Sequence, residues 1–156
     1  MGKKTGPNPT DRGKQGVKRS VLVEGHGVPL AVSIDGANRP DLKLVEPTFD
    51  ALIPARPAED VLEGICLDKG YDYQAVRDFF VAREIITHSR SRGEERKAIA
   101  DLPGYRARRW VVERLHSWMN RFRRLLIRWE KKSANYLTFV HFSCALIAFR
   151  AAGLFG

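Results

Sequence analysis

The chain has 156 residues, of which 44% are hydrophobic and 29% are charged. This length and composition are typical of one globular domain with its own core, and they exclude a second full-sized domain. Lys and Arg number 27 against 18 Asp and Glu, which gives a formal net charge of +9. Such an excess favours a polyanionic partner, although nucleic acid, a ribosome, a membrane surface and a heparin-type ligand would all satisfy it.

Simple patterns exclude several other classes of protein. Cys66 and Cys144 lie far apart in apolar runs, and no Cys/His cluster favours a zinc site. We expect both to be buried thiols in a reducing cytoplasm. The N-terminus lacks the apolar stretch of a signal peptide, and the run from Tyr136 to Phe149 is too short and too polar to span a bilayer. No glycine pattern of a nucleotide-binding loop is present, and no membrane partner is predicted.

The first half of the chain predicts an arm, a hairpin and a helix. Residues 1–16 are rich in Gly, Pro and Lys and are expected to form a flexible basic arm. Two β-like runs follow, Val17–Glu24 and Val28–Ile34, and the glycines between them indicate a hairpin loop. Pro40 suits the first turn of a helix that reaches about Leu52.

The second half predicts alternating strands and helices. In order, these are a strand Val61–Leu67 ending at Asp68, a helix capped by Asp72 and running through Phe80, a strand Glu84–His88, a charged loop Ser89–Asp101, and two long helices, Tyr105–Lys131 and Ser133–Ala152. A hairpin followed by α/β crossovers implies one mixed sheet with helices packed against it.

Asp68 is the first candidate functional residue. It closes an apolar strand, and ligands of open α/β sheets collect beyond the carboxyl ends of strands, where a carboxylate can hold a metal ion. A carboxylate at this point can also simply begin a turn or cap the next helix. The spacing leaves both interpretations open.

Glu113 is the second candidate and lies on a predicted helix with two distinct faces. An apolar stripe is formed by Val111, Leu115, Trp118, Phe122, Leu125 and Trp129. Another face carries Arg106, Arg109, Glu113, His116 and Asn120. A single acid among cations favours a functional role, but an ordinary Arg109–Glu113 ion pair on a solvated face fits the same spacing.

A basic run continues along this helix. Its cations are Arg121, Arg123, Arg124, Arg128, Lys131 and Lys132, with aromatic residues between them. Such side chains can follow a phosphate backbone without reading sequence. A solvated helix end is the alternative. His26 and His88 are interpreted as structural residues, since the histidines are scattered.

Four segments in order resemble a known family. They are Gly-Pro-Asn-Pro-Thr-Asp-Arg-Gly-Lys from Gly6 to Lys14, Leu-Asp-Lys-Gly-Tyr-Asp from Leu67 to Asp72, Arg-Arg-Trp-Val-Val-Glu-Arg from Arg108 to Arg114, and Asn-Arg-Phe-Arg-Arg-Leu from Asn120 to Leu125. Together they resemble the bacterial insertion-sequence transposases of the DDE class, and most nearly the insertion-sequence-five group. The resemblance runs from about Gly6 to Arg150.

The resemblance implies a fold, a metal centre and partners. The fold is RNase H-like (retroviral-integrase-like), with catalytic acids on the first strand, on the fourth strand and on a later helix. Asp68 matches the second acid and Glu113 the third, so both are expected to bind metal, with two Mg²⁺ or Mn²⁺ ions in the complete site. The partners implied are DNA, as transposon ends and target, and a second copy of the chain on that DNA.

The helix motif departs from the family pattern in two places. The family pattern resembles Tyr-x2-Arg-x3-Glu-x6-Lys; Arg109 and Glu113 match it, whereas Arg106 and Asn120 stand at the Tyr and Lys positions. The resemblance then implies that neighbouring arginines contact phosphate instead. The expected DNA-binding residues are Arg109, Arg114, Arg121, Arg123, Arg124, Arg128 and Lys131.

The family's first acid has no match in the chain. Asp11 lies in the Gly/Pro/Lys arm, and Asp35 ends the wrong strand. Residues 17–152 are therefore expected to form a partial catalytic domain that lacks its first strand, which an upstream reading frame joined by frameshifting could supply. The alternatives are an inactive DNA-binding or assembly fragment and a nuclease that cuts without rejoining.

Overall fold

The chain contains both strands and helices and is a mixed α/β protein. The structure is a computed structural model, and the residues described are 4–55, 63–71, 73–88 and 109–154. They belong to two compact units. The first unit consists of Met1–Ile53 and Val111–Gly156, and the second consists of Pro54–Trp110.

An antiparallel hairpin is the centre of the first unit. Strand β2, Gln15–Val23, pairs with strand β3, Pro29–Gly36, so that Val21 lies opposite Val32. The loop contains Gly27 at a φ of 94°, which glycine adopts without the steric cost that a side chain imposes. The predicted hairpin is confirmed, with each strand within two residues of its expected bounds at either end.

A two-residue strand extends this sheet. Strand β1, Gly6–Pro7, pairs antiparallel with Gln15 and Gly16 at the start of β2. Asn8 closes the intervening turn, since its backbone N–H donates to the carbonyl oxygen of Lys14 at 2.8 Å. The segment expected to form an arm thus makes backbone pairs with the hairpin.

Helix α1, Leu42–Asp50, packs on the hairpin, as its apolar spacing predicts. It buries Leu44 and Val45, and a polar contact fixes its position. The hydroxyl oxygens of Ser33 on β3 and Thr48 on α1 lie 2.6 Å apart, and the Thr48 hydroxyl also donates to the Leu44 carbonyl. Both hydroxyls are buried, so this pairing removes the cost of desolvating them alone.

The second unit contains a strand–helix–strand motif. Strand β4, Glu63–Cys66, runs parallel to strand β5, Ile85–His88, and helix α2, Gln74–Val81, connects them. The predicted order is confirmed. Two details were wrong: the N-cap position of α2 is taken by Tyr73, and Cys66 is exposed because it lies on the open face of β4. Asp72 and the predicted loop Ser89–Asp101 lie outside the described residues.

The described strands form two sheets. One is the antiparallel set β1-β2-β3 and the other is the parallel pair β4-β5. The expectation of one mixed sheet does not hold for these residues, because no ladder joins the antiparallel set to the parallel pair.

The predicted helix from Tyr105 to Lys131 is wrong as one continuous element. Within the described residues it comprises helix α3, Arg109–Asn120, and a single turn α4, Arg123–Leu126. The break falls at Phe122, whose extended backbone turns the chain so that Leu125 becomes buried. The residues expected to begin the helix, up to 108, are not among those described.

Helix α5, Ser133–Ala151, confirms the last predicted helix and completes the core. The core cluster joins the hairpin to α3, α4 and α5 and consists of Val32, Ile34, Leu115, Met119, Leu125, Tyr136, Val140 and Ile147. Partial burial here raises the pKa of the Cys144 thiol to about 11. None of the described helices combines the length and hydropathy needed to cross a membrane.

Candidate functional site

Asp68 lies just beyond β4, at the edge where the two parallel strands end. Strand pairing continues one residue past β4, since the Leu67 backbone N–H donates to the His88 carbonyl at 3.0 Å. The Asp68 carbonyl then accepts from the Tyr71 N–H at 2.8 Å and begins a single 3-10 turn, Lys69–Tyr71. Asp68 is exposed. Asp68 thus begins a turn, which was the structural alternative to a metal-binding role. Its exposed carboxylate also lies at the carboxyl end of the strands.

Glu113 lies in the second turn of α3 and is exposed. Two residues further on, Leu115 is fully buried and anchors the opposite face of the helix in the core. The helix therefore points Glu113 away from the apolar contacts that fix its position. The side chain of Arg109, expected to pair with Glu113 or with a phosphate, lies outside the described residues.

The two carboxylates belong to different compact units, Asp68 to the second and Glu113 to the first. Both are exposed oxygen donors of the kind that Mg²⁺ prefers. Among the residues that the structure describes, no three His, Cys, Asp or Glu side chains are grouped so that they could hold a metal ion. The oxygen-donor chemistry of Asp68 and of Glu113 fits a divalent ion.

A cation reaches the end of α3 from the hairpin. Arg19 of β2 donates from Nη2 to the Oδ1 of Asn120, the last residue of α3, at 2.7 Å. Its other terminal nitrogen, Nη1, is buried and has no hydrogen-bond partner among the described residues. A cation at this end interacts favourably with the helix dipole, whose negative pole lies at the last carbonyls. Arg19 thus places positive charge beside Asn120, at the carboxyl end of α3.

Sequence reasoning missed Arg19 for a physical reason. Its partner Asn120 is 101 residues away, and neither propensity nor periodicity relates residues so distant in sequence. Arg19 reads in sequence as an outward polar residue of an amphipathic strand. Only the packing of α3 across the hairpin brings the two side chains together.

His116, one turn beyond Glu113, is partly buried. Burial and, secondly, the positive charge of Arg19 lower the pKa of the imidazole below its usual 6.5. The unfolded chain therefore binds this proton at a higher pH than the folded chain does, and acid favours unfolding. The contribution of His116 to stability is complete above about pH 7.5, and it is lost as the pH falls below 6.5 and through the lower pKa of the folded chain.

We therefore expect the free energy of unfolding to decrease between about pH 7.5 and pH 5 by more in the native chain than in His116→Gln, which has no titrating ring. Denaturant unfolding monitored by tryptophan fluorescence at several pH values measures both. The difference between the two proteins isolates the titration of residue 116. If the free energy of unfolding changed equally with pH in both proteins, the pKa of His116 would be the same in the folded and unfolded chain.

Arg114 ties α3 to the turn of the hairpin. Its Nη2 donates to the backbone carbonyl of His26, and its guanidinium lies 4.8 Å from the ring centre of Trp118. A Cβ at Gly27 would approach this guanidinium to 2.9 Å, so the close contact depends on glycine. Arg114, expected to bind DNA, therefore also has a structural contact within the unit.

Arg128 is engaged with the backbone rather than directed into solvent. It donates to the carbonyls of Glu130 at 2.8 Å and of Lys4 and Lys131 at 3.3 Å. Its guanidinium also lies 5.5 Å from the ring centre of Tyr136. These contacts fix the segment after α4. The expected contact between Arg128 and a DNA phosphate stays a prediction.

The remaining cations of the basic run differ in their contacts. Arg124 donates from Nε to a carboxylate oxygen of Glu130 at 2.8 Å and lies over the ring of Phe139. Arg121, Arg123 and Lys131 are exposed, and no described carboxylate forms an ion pair with them. Together with Lys132, which is also exposed, these three are the cations of the run best placed to meet a solvent-side anion.

Comparison with known proteins shows the family to which the chain belongs. Residues 2–147 match the family model of the transposase DDE domain. A protein of Burkholderia cepacia, named "Putative transposase for insertion sequence element IS402", is 36% identical over an alignment that covers 92% of this chain and 68% of that protein. No solved structure gives a significant match. The chain belongs to the DDE transposase family of bacterial insertion sequences.

Proposed function

We propose that this chain is the catalytic part of a transposase that cleaves DNA at insertion-sequence ends and joins it to a target, with Asp68 and Glu113 as two of three metal-binding carboxylates. The observation that carries the proposal is the family match over residues 2–147, which includes both acids. Their exposure supports it, since a metal ligand that meets DNA must be open to solvent.

We also propose that the fold is RNase H-like. Three features support this: an antiparallel hairpin, a later parallel pair of strands, and a helix that carries the last acid. The family implies catalytic acids at the end of a strand and on a later helix, and the order of elements supports this match, since Asp68 follows β4 and Glu113 lies on α3.

The first acid is proposed to come from an upstream segment that supplies the missing strand. Beyond Gln15 and Gly16, strand β2 has a described partner on one side only, because the two-residue β1 ends there. An added strand could pair with β2 along its other edge at Val17–Val23, where no described strand forms a ladder. Arg19 lies in the middle of this stretch, and its buried Nη1 has no hydrogen-bond partner among the described residues.

In the proposed reaction Asp68 and Glu113 supply hard oxygen ligands, which a neutral amide replaces poorly. Two Mg²⁺ or Mn²⁺ ions, when bound, would activate the attacking hydroxyl and stabilise the leaving oxygen. Water first breaks the phosphodiester bond and frees a 3′-hydroxyl, and that hydroxyl then displaces the 3′-oxygen of a target phosphodiester. During both steps the exposed cations Arg121, Arg123 and Lys131 hold the DNA backbone. The other residues expected to bind DNA are proposed to do the same, and they are Arg109, Arg114, Arg124 and Arg128. Because an insertion sequence has two ends and both are joined to the target, two copies on DNA are proposed.

The test is cleavage by the chain fused to the upstream segment. With a labelled duplex carrying the insertion-sequence end, we expect strand cleavage in Mg²⁺ or Mn²⁺ and none in EDTA. Gel analysis of the products, with and without target plasmid, distinguishes cutting from joining. Cutting without joining would make the protein a nuclease. DNA binding with neither step would make it a binding or assembly fragment, and the catalytic proposal would then be wrong.

A further inference from the structure

The break between α3 and α5 leaves a tryptophan in solvent. Sequence spacing places Trp129 on the apolar stripe of a continuous helix, but the chain leaves the helix after Leu126 and Trp129 is 75% exposed. Ile127 beside it is 57% exposed. Exposing so large an apolar side chain forfeits the favourable free energy of its burial, so a ligand or a partner is the physical explanation to seek.

The exposed ring is held by ordered neighbours on both sides. Arg128 donates to the carbonyls of Glu130, Lys131 and Lys4, and the Glu130 side chain, only 6% exposed, accepts from Arg124. The second carboxylate oxygen of Glu130 is buried without a hydrogen-bond partner among the described residues. Trp129 therefore projects from a segment fixed by charged contacts, and binding on its ring would cost little further ordering of the backbone.

Trp129 forms one wall of a shallow depression. The depression has a volume of about 400 Å³ and is lined by Arg123, Arg124, Ile127 and Trp129. The Arg124 side chain is 60% exposed even though its Nε is paired, and Arg123 is exposed with no described ion-pair partner. A flat apolar wall thus stands beside two guanidinium groups, and Lys131 and Lys132, also exposed, continue the positive charge along the chain.

We propose that this depression binds an unpaired base of the DNA, stacked on Trp129, with the adjoining phosphate held by Arg123 and Arg124. An aromatic ring beside cations is the combination by which proteins bind single-stranded nucleic acid, because every base has a stacking face and every nucleotide a phosphate. The proposal rests on the proposed function, in that the nucleic acid is taken to be the DNA that the chain acts on.

A paired base does not fit this chemistry. Inside a duplex the faces of each base are covered by its neighbours, and only edges and phosphates are open to a protein. The ring of Trp129 therefore selects an end or a gap where a base has left the stack. An apolar protein partner would use the wall but would leave the exposed Arg123 guanidinium without an anion, so charge complementarity favours DNA.

The experiment compares two DNA probes in metal-free buffer with the full chain. One is a fluorescein-labelled oligothymidylate, and the other is a blunt duplex of equal phosphate count. For Trp129→Ala we expect affinity for the single strand to fall between about five- and a hundred-fold, while duplex affinity changes less than about two-fold. Trp129→Phe, which keeps a stacking ring, should retain most of the affinity. In a duplex with a 2-aminopurine overhang, binding should quench the probe in the native chain and not in Trp129→Ala.

The control is Phe142→Ala, which removes another exposed aromatic, 63% exposed, from α5 outside the depression. It should bind both probes as the native chain does, and unfolding curves should confirm that all variants fold. Equal losses on both probes, or no loss on the single strand, would overturn the proposal. So would a change confined to the oligomeric state, which would assign Trp129 to a protein contact. Because no metal is present, these results do not depend on whether the chain cleaves DNA.

Discussion

Asp68→Asn and Glu113→Gln should each lower the rate of metal-dependent cleavage by about a hundred- to a thousand-fold or more. Each change keeps the size of the side chain and removes the negative charge. A neutral amide binds Mg²⁺ far less well than a carboxylate does, so the loss should appear in the chemical step. Initial rates on a labelled insertion-sequence end, with the upstream segment present, measure it.

Binding and folding separate this loss from damage to the protein. Both carboxylates are exposed, so neither change should shift the free energy of unfolding by more than about 0.5 kcal/mol. Affinity for DNA should remain or rise slightly, since a negative charge near the phosphates has been removed. The matched controls are Glu46→Gln and Asp50→Asn, exposed carboxylates of α1, which should cleave at the native rate. Normal turnover by either active-site variant would remove that residue from the metal centre.

Local patterns predicted most of the fold, because the elements concerned are set by neighbours in sequence. The hairpin follows from two β-like runs with glycines between them, and α5 follows from a long apolar stretch bounded by Ser133. Asp68 and Glu113 were placed correctly at the end of a strand and on a helix. Spacing alone left each of them open to a structural interpretation, and only the ordered set of motifs favoured catalysis.

The features that sequence could not predict depend on contacts between distant segments. The helix ends at Asn120 because burial of Leu125 beneath α5 outweighs continuation of the helix, and this burial brings the Tyr136 hydroxyl to the Leu125 carbonyl at 3.0 Å. The apolar spacing through Trp129 is compatible with either outcome. The Arg19–Asn120 contact and the Arg124–Glu130 pair likewise arise from packing, and both lie next to the candidate functional residues.

The same break explains why the basic run is not a uniform DNA-binding face. On a straight helix Arg121, Arg124 and Arg128 would lie near one another and project into solvent. The structure instead directs Arg128 to backbone carbonyls and pairs Arg124 with Glu130, whereas Arg121 stays exposed. Cations within one short run therefore divide between fixing the loop and facing solvent.

Leu115→Ala should produce the largest loss of stability. Leu115 is fully buried in the core cluster on α3, so removing its methyl groups leaves a cavity between the helix and the hairpin. Such changes cost about 2–5 kcal/mol, a large share of the total stability of about 5–15 kcal/mol that is usual for a small protein. Denaturant unfolding followed by circular dichroism measures the loss. Leu126→Ala, which trims a leucine that is 61% exposed, should change stability by less than about 0.5 kcal/mol.

Variants of Leu115 and Glu113 distinguish two requirements for cleavage, which are the position of α3 and the carboxylate that α3 carries. They lie two residues apart on α3, one fully buried and the other exposed. Leu115→Ala should lower stability strongly and cleavage in part, because a loosened α3 places Glu113 less accurately, and lowering the temperature should restore some of that activity. Glu113→Gln should lower cleavage at every temperature and leave stability unchanged. If Leu115→Ala proved as stable as the native chain, the packing of α3 on the hairpin would be wrong, and with it the position assigned to Glu113.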